Sequence, residues 1–225
     1  MALGCFFLSI CSKIVVGYAQ SELKNGATMV TAQFVSVNGE DMPLENFVPM
    51  GEDLSDNVAI QTLDASGKTV DNYLWNDWMY DTACWVDDEF NAVEGVTFAS
   101  GQGLWVFGSS SMQGIRTAGE VAMSDISVQL KNGATATGIA FPVSIALQDI
   151  IPEGDDLSDN VAIQTLDASG KTVDNYLWND WMYDTACWVD DEFNMVEGVT
   201  FAPGQGLWVY GSSNTQYLRI PAPEL

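Results

Sequence analysis

The sequence predicts an all-β protein made of two tandem antiparallel units, each sandwich-like or barrel-like, and three observations carry that prediction. Residues 51–110 recur as residues 154–213 at a constant offset of 103, with only four differences: Glu52 for Asp155, Ala92 for Met195, Ser100 for Pro203 and Phe107 for Tyr210. Within each copy, short runs of β-branched and aromatic residues alternate with turn residues. No window keeps a helical period.

Taken in chain order, "ATMVTAQFVSV" from Ala27 to Val37 and "NVAIQTL" from Asn57 to Leu63 read as strands. "DASGK" from Asp64 to Lys68 reads as a hairpin turn, with Ser66 and Gly67 where a left-handed backbone is tolerated. "TVDNYLW", "TACWV" and "GLWVFG" follow as strands, and in the last of these Leu104 and Val106 point to one side, Trp105 and Phe107 to the other. Upstream, "LKNGAT" at Leu23 recurs at Leu130 with an offset of 107, so the first copy holds four extra residues near "NGEDMPLENF". The expected division is an unrepeated apolar segment at 1–12, a first β unit at 13–118 and a second at 119–225.

Size and composition suit packed cores, with 225 residues, 47% hydrophobic and 17% charged. The formal net charge of -24, from 31 acidic against seven basic residues, makes nucleic acid and anionic membrane poor partners, because both are bound through Lys and Arg. The longest apolar run, Ala2 to Cys11, is about half the length that a membrane-spanning helix needs. It has the length of a signal-peptide core but no basic residue before it. Cys5, Cys11, Cys84 and Cys187 contain no C-x-x-C pair, and their pairing is left open.

The chain has no histidine, which removes Ser-His and Cys-His catalysis and histidine metal sites. Carboxylate acid-base chemistry stays open by composition, yet an active site seldom needs a nearly unchanged second copy, so the chain is expected not to be an enzyme. No cofactor is expected; calcium is the one ion the acidic turns suggest, since it takes several carboxylate and carbonyl oxygens. The turns concerned hold Asp53, Asp56 and Asn57, with twins Asp156, Asp159 and Asn160, and then Asp87, Asp88 and Glu89, with twins Asp190, Asp191 and Glu192. Neither follows the EF-hand order. Each unit has four tryptophans, most of them expected in the core. Trp75 and Trp78 are an odd number apart, so one of them should face outward if the strand continues unbroken through both. Trp78 and Trp181, beside Asp77 and Asp180, are the candidate contact surface for a glycan or a protein.

The succession "LKNGATMVTAQFV", "YLWNDW" and "ASGQGLWVFG" resembles the β-rich tandem repeats of secreted and surface-attached bacterial proteins. Those repeats pair a glycine-led first strand with a closing G-x-G-x-W-V strand. The resemblance spans both units, implies an extracellular structural module and carries over no catalytic residue. The chain departs from it in showing no evident anchor or sorting motif and only two units.

The expectation that follows is an extracellular or cell-surface structural protein, a filament or surface-layer subunit whose partners are copies of itself. Its apolar N-terminal strand, with Leu3, Phe6, Phe7, Leu8 and Ile10, would be lent to a neighbour's sheet edge, and such a head-to-tail contact does not close. The alternative is a carbohydrate-binding or adhesive module that uses exposed tryptophan and acidic turns.

Overall fold

A computed structural model describes residues 16–35, 41–110, 112–167 and 169–223, so the proposed docking residues Leu3, Phe6, Phe7, Leu8 and Ile10 lie outside the described residues. The protein is all-β, 50% strand and 3% helical, with several small antiparallel sheets arranged like a four-bladed propeller. The first unit contains β1 (Val16–Glu22), β2 (Gly26–Thr31), β3 (Met42–Pro43), β4 (Phe47–Met50) and β5 (Ala59–Leu63). It continues with β6 (Thr69–Asn76), β7 (Cys84–Val86), β8 (Thr97–Phe98), β9 (Gly103–Gly108) and β10 (Gly114–Glu120). The second unit repeats the series as β11 (Ile126–Gln129), β12 (Gly133–Gly138), β13 (Ile145–Ala146), β14 (Ile151–Glu153) and β15 (Ala162–Leu166). It ends with β16 (Thr172–Asn179), β17 (Cys187–Val189), β18 (Thr200–Phe201), β19 (Gly206–Gly211) and β20 (Tyr217–Ile220).

Each unit forms a five-stranded sheet, β2-β9-β5-β6-β7 or β12-β19-β15-β16-β17. Beside it lie a three-stranded sheet, β1-β10-β4 or β11-β20-β14, and a two-stranded ladder, β3-β8 or β13-β18. This pairing agrees with the antiparallel all-β expectation but establishes neither a sandwich nor a barrel. No helix of the described residues is long and apolar enough to cross a membrane.

The local chemistry explains most of the strand ends. At the β5-β6 hairpin, Asp64 Oδ1 accepts from Ser66 N at 2.8 Å, Ser66 Oγ at 2.7 Å and Lys68 N at 3.0 Å, while Gly67 takes a left-handed φ of 79°. In β9, Leu104 and Val106 are buried and Trp105 and Phe107 lie on the other face, half-buried. β2 is shorter than the Ala27–Val37 expected, because Thr31 N bonds to Gly204 O of the second unit and Ala32 N to Gln102 O, which draws the chain out of the ladder. Three of the short strands absent from the sequence reading, β3, β4 and β14, contain a proline, which removes a ladder donor.

Each unit surrounds its own apolar cluster. Trp85 sits in the first, edge-on to Trp75 with ring centroids 5.2 Å apart, and donates its indole N–H to Phe47 O at 2.9 Å. Trp188 repeats this arrangement with Trp178 and Ile150 O. A buried indole with its donor satisfied contributes apolar area without an orphaned polar group.

The units meet along the edges of their five-stranded sheets. Val30 bridges Gln205, and Thr137, the counterpart of Val30, bridges Gln102, the counterpart of Gln205. The backbones come so close that a Cβ on Gly103 would lie 2.5 Å from Thr137 N, and one on Gly206 2.7 Å from the carbonyl carbon of Met29. Side chains lock the seam, with Thr31 Oγ1 donating to Gln205 O at 3.2 Å and Thr137 Oγ1 to Gly101 O at 2.7 Å. Each hairpin turn also packs on the other unit's tryptophan, Gly67 against Trp208 and Gly170 against Trp105. Gly206→Val is therefore expected to cost about 1–3 kcal/mol by overpacking. Thermal unfolding checks this, and an unchanged Tm would contradict the contact.

Candidate functional site: the twin tryptophan loops

The loop after β6 and the loop before β5 are tied together by a buried asparagine. Asn76 Oδ1 accepts from Met79 N at 2.9 Å, its Nδ2 donates to Asp56 Oδ1 at 3.4 Å, and Asp56 N donates to Trp75 O at 2.8 Å. Asp56 Oδ2 accepts the Trp78 indole N–H at 3.1 Å, and Asp77 N donates to Ser55 Oγ at 3.0 Å. Trp78 is thus held outward at 61% exposure with its only polar atom already satisfied. Met79, Tyr80 and Phe90 are exposed as well.

The second unit repeats the geometry atom for atom. Trp181 Nε1 donates to Asp159 Oδ2 at 3.0 Å, Asp180 N to Ser158 Oγ at 3.0 Å, and Asn179 links Asp159 to Met182 N. Trp181 is likewise 61% exposed. In the pairs Trp75/Trp78 and Trp178/Trp181 one member packs inward and the other faces out, although β6 and β16 end at Asn76 and Asn179, so the outward ring is set by the loop and its aspartate and not by strand alternation.

Asp87 and Asp88 of the second acidic turn, with their twins, act as local acceptors. Asp87 Oδ1 takes Glu89 N at 2.9 Å and Asn91 N at 2.9 Å, and the Asn91 amide also reaches its Oδ2 at 3.1 Å. Asp88 Oδ1 accepts from Asn72 Nδ2 at 2.6 Å. Asp190 and Asp191 do the same with Glu192 N, Asn194 and Asn175. Asn57 and Asn160 donate to the Ser55 and Ser158 carbonyls. Asp53, Asp56, Asp156 and Asp159 all adopt left-handed backbone, as do Phe90 and Phe193. Among the described residues, no three His, Cys, Asp or Glu side chains form a group that could hold a metal ion.

Two further side chains organise the loops and escaped the sequence reading. Tyr80 Oη donates to Phe90 O at 2.9 Å and accepts from Ala92 N at 3.1 Å, joining the tryptophan loop to the acidic loop. Buried Gln113 accepts from Ser109 N at 2.7 Å and donates to Glu52 O at 3.1 Å and Asp53 O at 2.9 Å, and Gln216 repeats this in the second unit. The signal for Gln113 was present: between Ser110 and Ile115 it is the one residue that both copies keep.

A cavity of about 410 Å3 beside the second pair of core tryptophans is lined by Trp178, Cys187, Trp188, Met195 and Glu197 among others. Burial pushes the Cys187 thiol above its ordinary pKa, which disfavours the thiolate.

The fold and these loops define a tandem all-β protein carrying one aromatic and acidic loop pair twice. Comparison with protein-family models, with curated proteins and with solved structures finds no match.

Asp56→Ala is expected to cost about 0.5–1.5 kcal/mol per lost hydrogen bond and to release the Trp78 ring, read as a red shift and increased quenching of tryptophan fluorescence. The Asn91 backbone N–H, and then its side-chain amide, hold the Asp87 carboxyl below the usual aspartate range; Asn194 does so for Asp190. A folded pKa below the unfolded one stabilises above the unfolded value, and that stabilisation disappears as pH falls through the folded value. A chain with Asp87→Asn and Asp190→Asn should melt below the wild type above about pH 4, with the gap closing as pH drops further. A gap that stays constant with pH would contradict the assignment.

Proposed function

We propose that the protein is a non-catalytic adhesive module, acting outside the cell or on its surface, that binds glycans through Trp78 and Trp181. The observation that carries this reading is the exposed indole pinned by Asp56 or Asp159. An aromatic face that is held still before binding offers a flat apolar platform for the C–H face of a sugar ring, and little side-chain entropy is lost on contact. The carboxylates of Asp77 and Asp180 lie next in sequence and supply acceptors for sugar hydroxyls. Two identical platforms on one chain favour a repetitive ligand, because the second contact is intramolecular. Engagement of the acidic-turn carboxylates by local donors supports binding rather than catalysis.

A second reading is a structural subunit that assembles head-to-tail into a filament or surface layer, each unit serving as a sandwich-like module. It is favoured by the position of β1, which lies at an edge of its three-stranded sheet and begins four residues after the end of the apolar N-terminal segment at 12. An open sheet edge is where strand addition occurs.

A glycan array probed with the wild-type chain and with the Trp78→Ala, Trp181→Ala double variant tests the first reading. Binding by the wild type that falls at least about tenfold in the variant is expected, since aromatic anchors dominate such contacts. An array with no binding, or binding that survives the double substitution, would overturn it.

A further inference from the structure

The geometry points to a unit-exchange interface: the surface by which the two units dock accepts a unit of the opposite kind from a second copy of this chain, so that two copies trade units. This inference rests on the seam between the units and not on the glycan reading.

The docking surface is nearly self-complementary. Val30 with Gln205 and Thr137 with Gln102 form one equivalent pair of contacts, Gly67 with Trp208 and Gly170 with Trp105 another. Such reciprocity is the mark of an isologous contact, in which a patch meets a copy of itself across a twofold axis. A residue on that axis meets its own counterpart. Thr31 and Gly138 are such counterparts, the last residues of β2 and β12, and they touch: a Cβ on Gly138 would run into Thr31 Oγ1.

This contact makes the surface selective. Two first units would bring Thr31 against Thr31 where there is room for one side chain. Two second units would bring Gly138 against Gly138 and lose the Thr31 Oγ1 bond to Gln205 O. Only a first unit with a second unit places Thr against Gly. Selectivity of this kind comes from the mismatched pairs as much as from the matched one.

Nothing in the seam requires its halves to share a chain. The connection between β10 and β11 is the five residues Val121 to Asp125. Val121 is buried with the first unit, Ala122 packs on the second unit's core, and Asp125 is held by Arg219 at 3.0 Å and by Ala222 N at 2.9 Å. Within this tether Met123 is 60% exposed. A tether this short gives an effective concentration on the order of millimolar. The closed single chain therefore dominates in dilute solution, and exchange takes over when chains refold together at high concentration. Two copies then close into a swapped dimer, and an open succession of the same pairing adds further copies.

Complementation between two full-length variants tests this. Gly138→Val spoils the second unit's surface in one chain, and Thr31→Leu spoils the first unit's surface in the other. Each chain alone has a broken seam. Mixed, they can form one intact pair between the sound first unit of the former and the sound second unit of the latter. Size-exclusion chromatography with light scattering should show a heterodimer of twice the chain mass in the mixture and in neither variant alone. A mixture that behaves as the sum of its parts, with both variants folded by circular dichroism, would overturn the inference. As a second measurement, wild type refolded at increasing concentration should yield an increasing dimer fraction. A chain lacking Met123 and Ser124, whose tether is shorter by about 7 Å, should dimerise at lower concentration. Monomer throughout both series would also overturn it.

Discussion

The structure depends on the approach of backbone to backbone where the edges of the two five-stranded sheets meet. An edge strand carries unpaired N–H and C=O groups and invites any passing strand. Here β2 and β12 are each covered by the start of the other unit's β19 or β9, and the covering works only because Gly103 and Gly206 have no Cβ. The rest follows from that spacing. The hairpins of one unit reach the tryptophans of the other, and the strands after Thr31 and Gly138 leave their ladders toward separate cores. The glycines of "GQGLWV" are therefore more than turn formers, since the second of them sets the distance between the two halves.

The same economy governs the acidic loops. In a chain of net charge -24, a solvated carboxylate adds repulsion, yet Asp64 and Asp87 accept hydrogen bonds from their own loops, Asp56 from Trp78 of the neighbouring loop and Asp88 from Asn72 of β6. These bonds fix loops that have little apolar material of their own. Fixing them also fixes what they carry, so the exposed tryptophans share a rigidity that surface aromatic side chains usually lack. Chemistry and architecture are coupled through Asn76 and Asn179, buried residues whose single amide joins the tryptophan loop to the aspartate that orients the ring.

Much of this was legible in the sequence because it is local. The Asp64–Lys68 hairpin and the alternation in "GLWVFG" are set by residues a few positions apart, whereas the outward Trp78 lies beyond the end of β6 and is oriented by Asp56. What stayed hidden needs partners far along the chain. The face of β9 that carries Trp105 and Phe107 is legible from alternation, but that Trp105 meets Gly170 of the other unit is not. The apparent strand from Ala27 to Val37 is continuous by propensity and is cut at Thr31 by a carbonyl more than a hundred residues away. Short strands such as Met42–Pro43 have no pattern long enough to detect. Composition does not show which oxygens of the acidic turns already accept an N–H, as those of Asp87 and Asp88 do.

The pair Thr31 and Gly138 has a consequence for how such a chain arises. Duplication copies every residue, but a two-fold arrangement forces the residue on the axis to face its own copy. A perfect duplicate would have placed threonine against threonine there. The near-identity of the repeats over residues 51–110 and 154–213 does not extend to the strands that meet on the axis, where Met29, Val30 and Thr31 answer to Ala136, Thr137 and Gly138. Symmetry sets the limit on how alike the halves can remain at that one point, while the seam residues off the axis, Gln102 and Gly103 with Gln205 and Gly206, stay identical in the two halves.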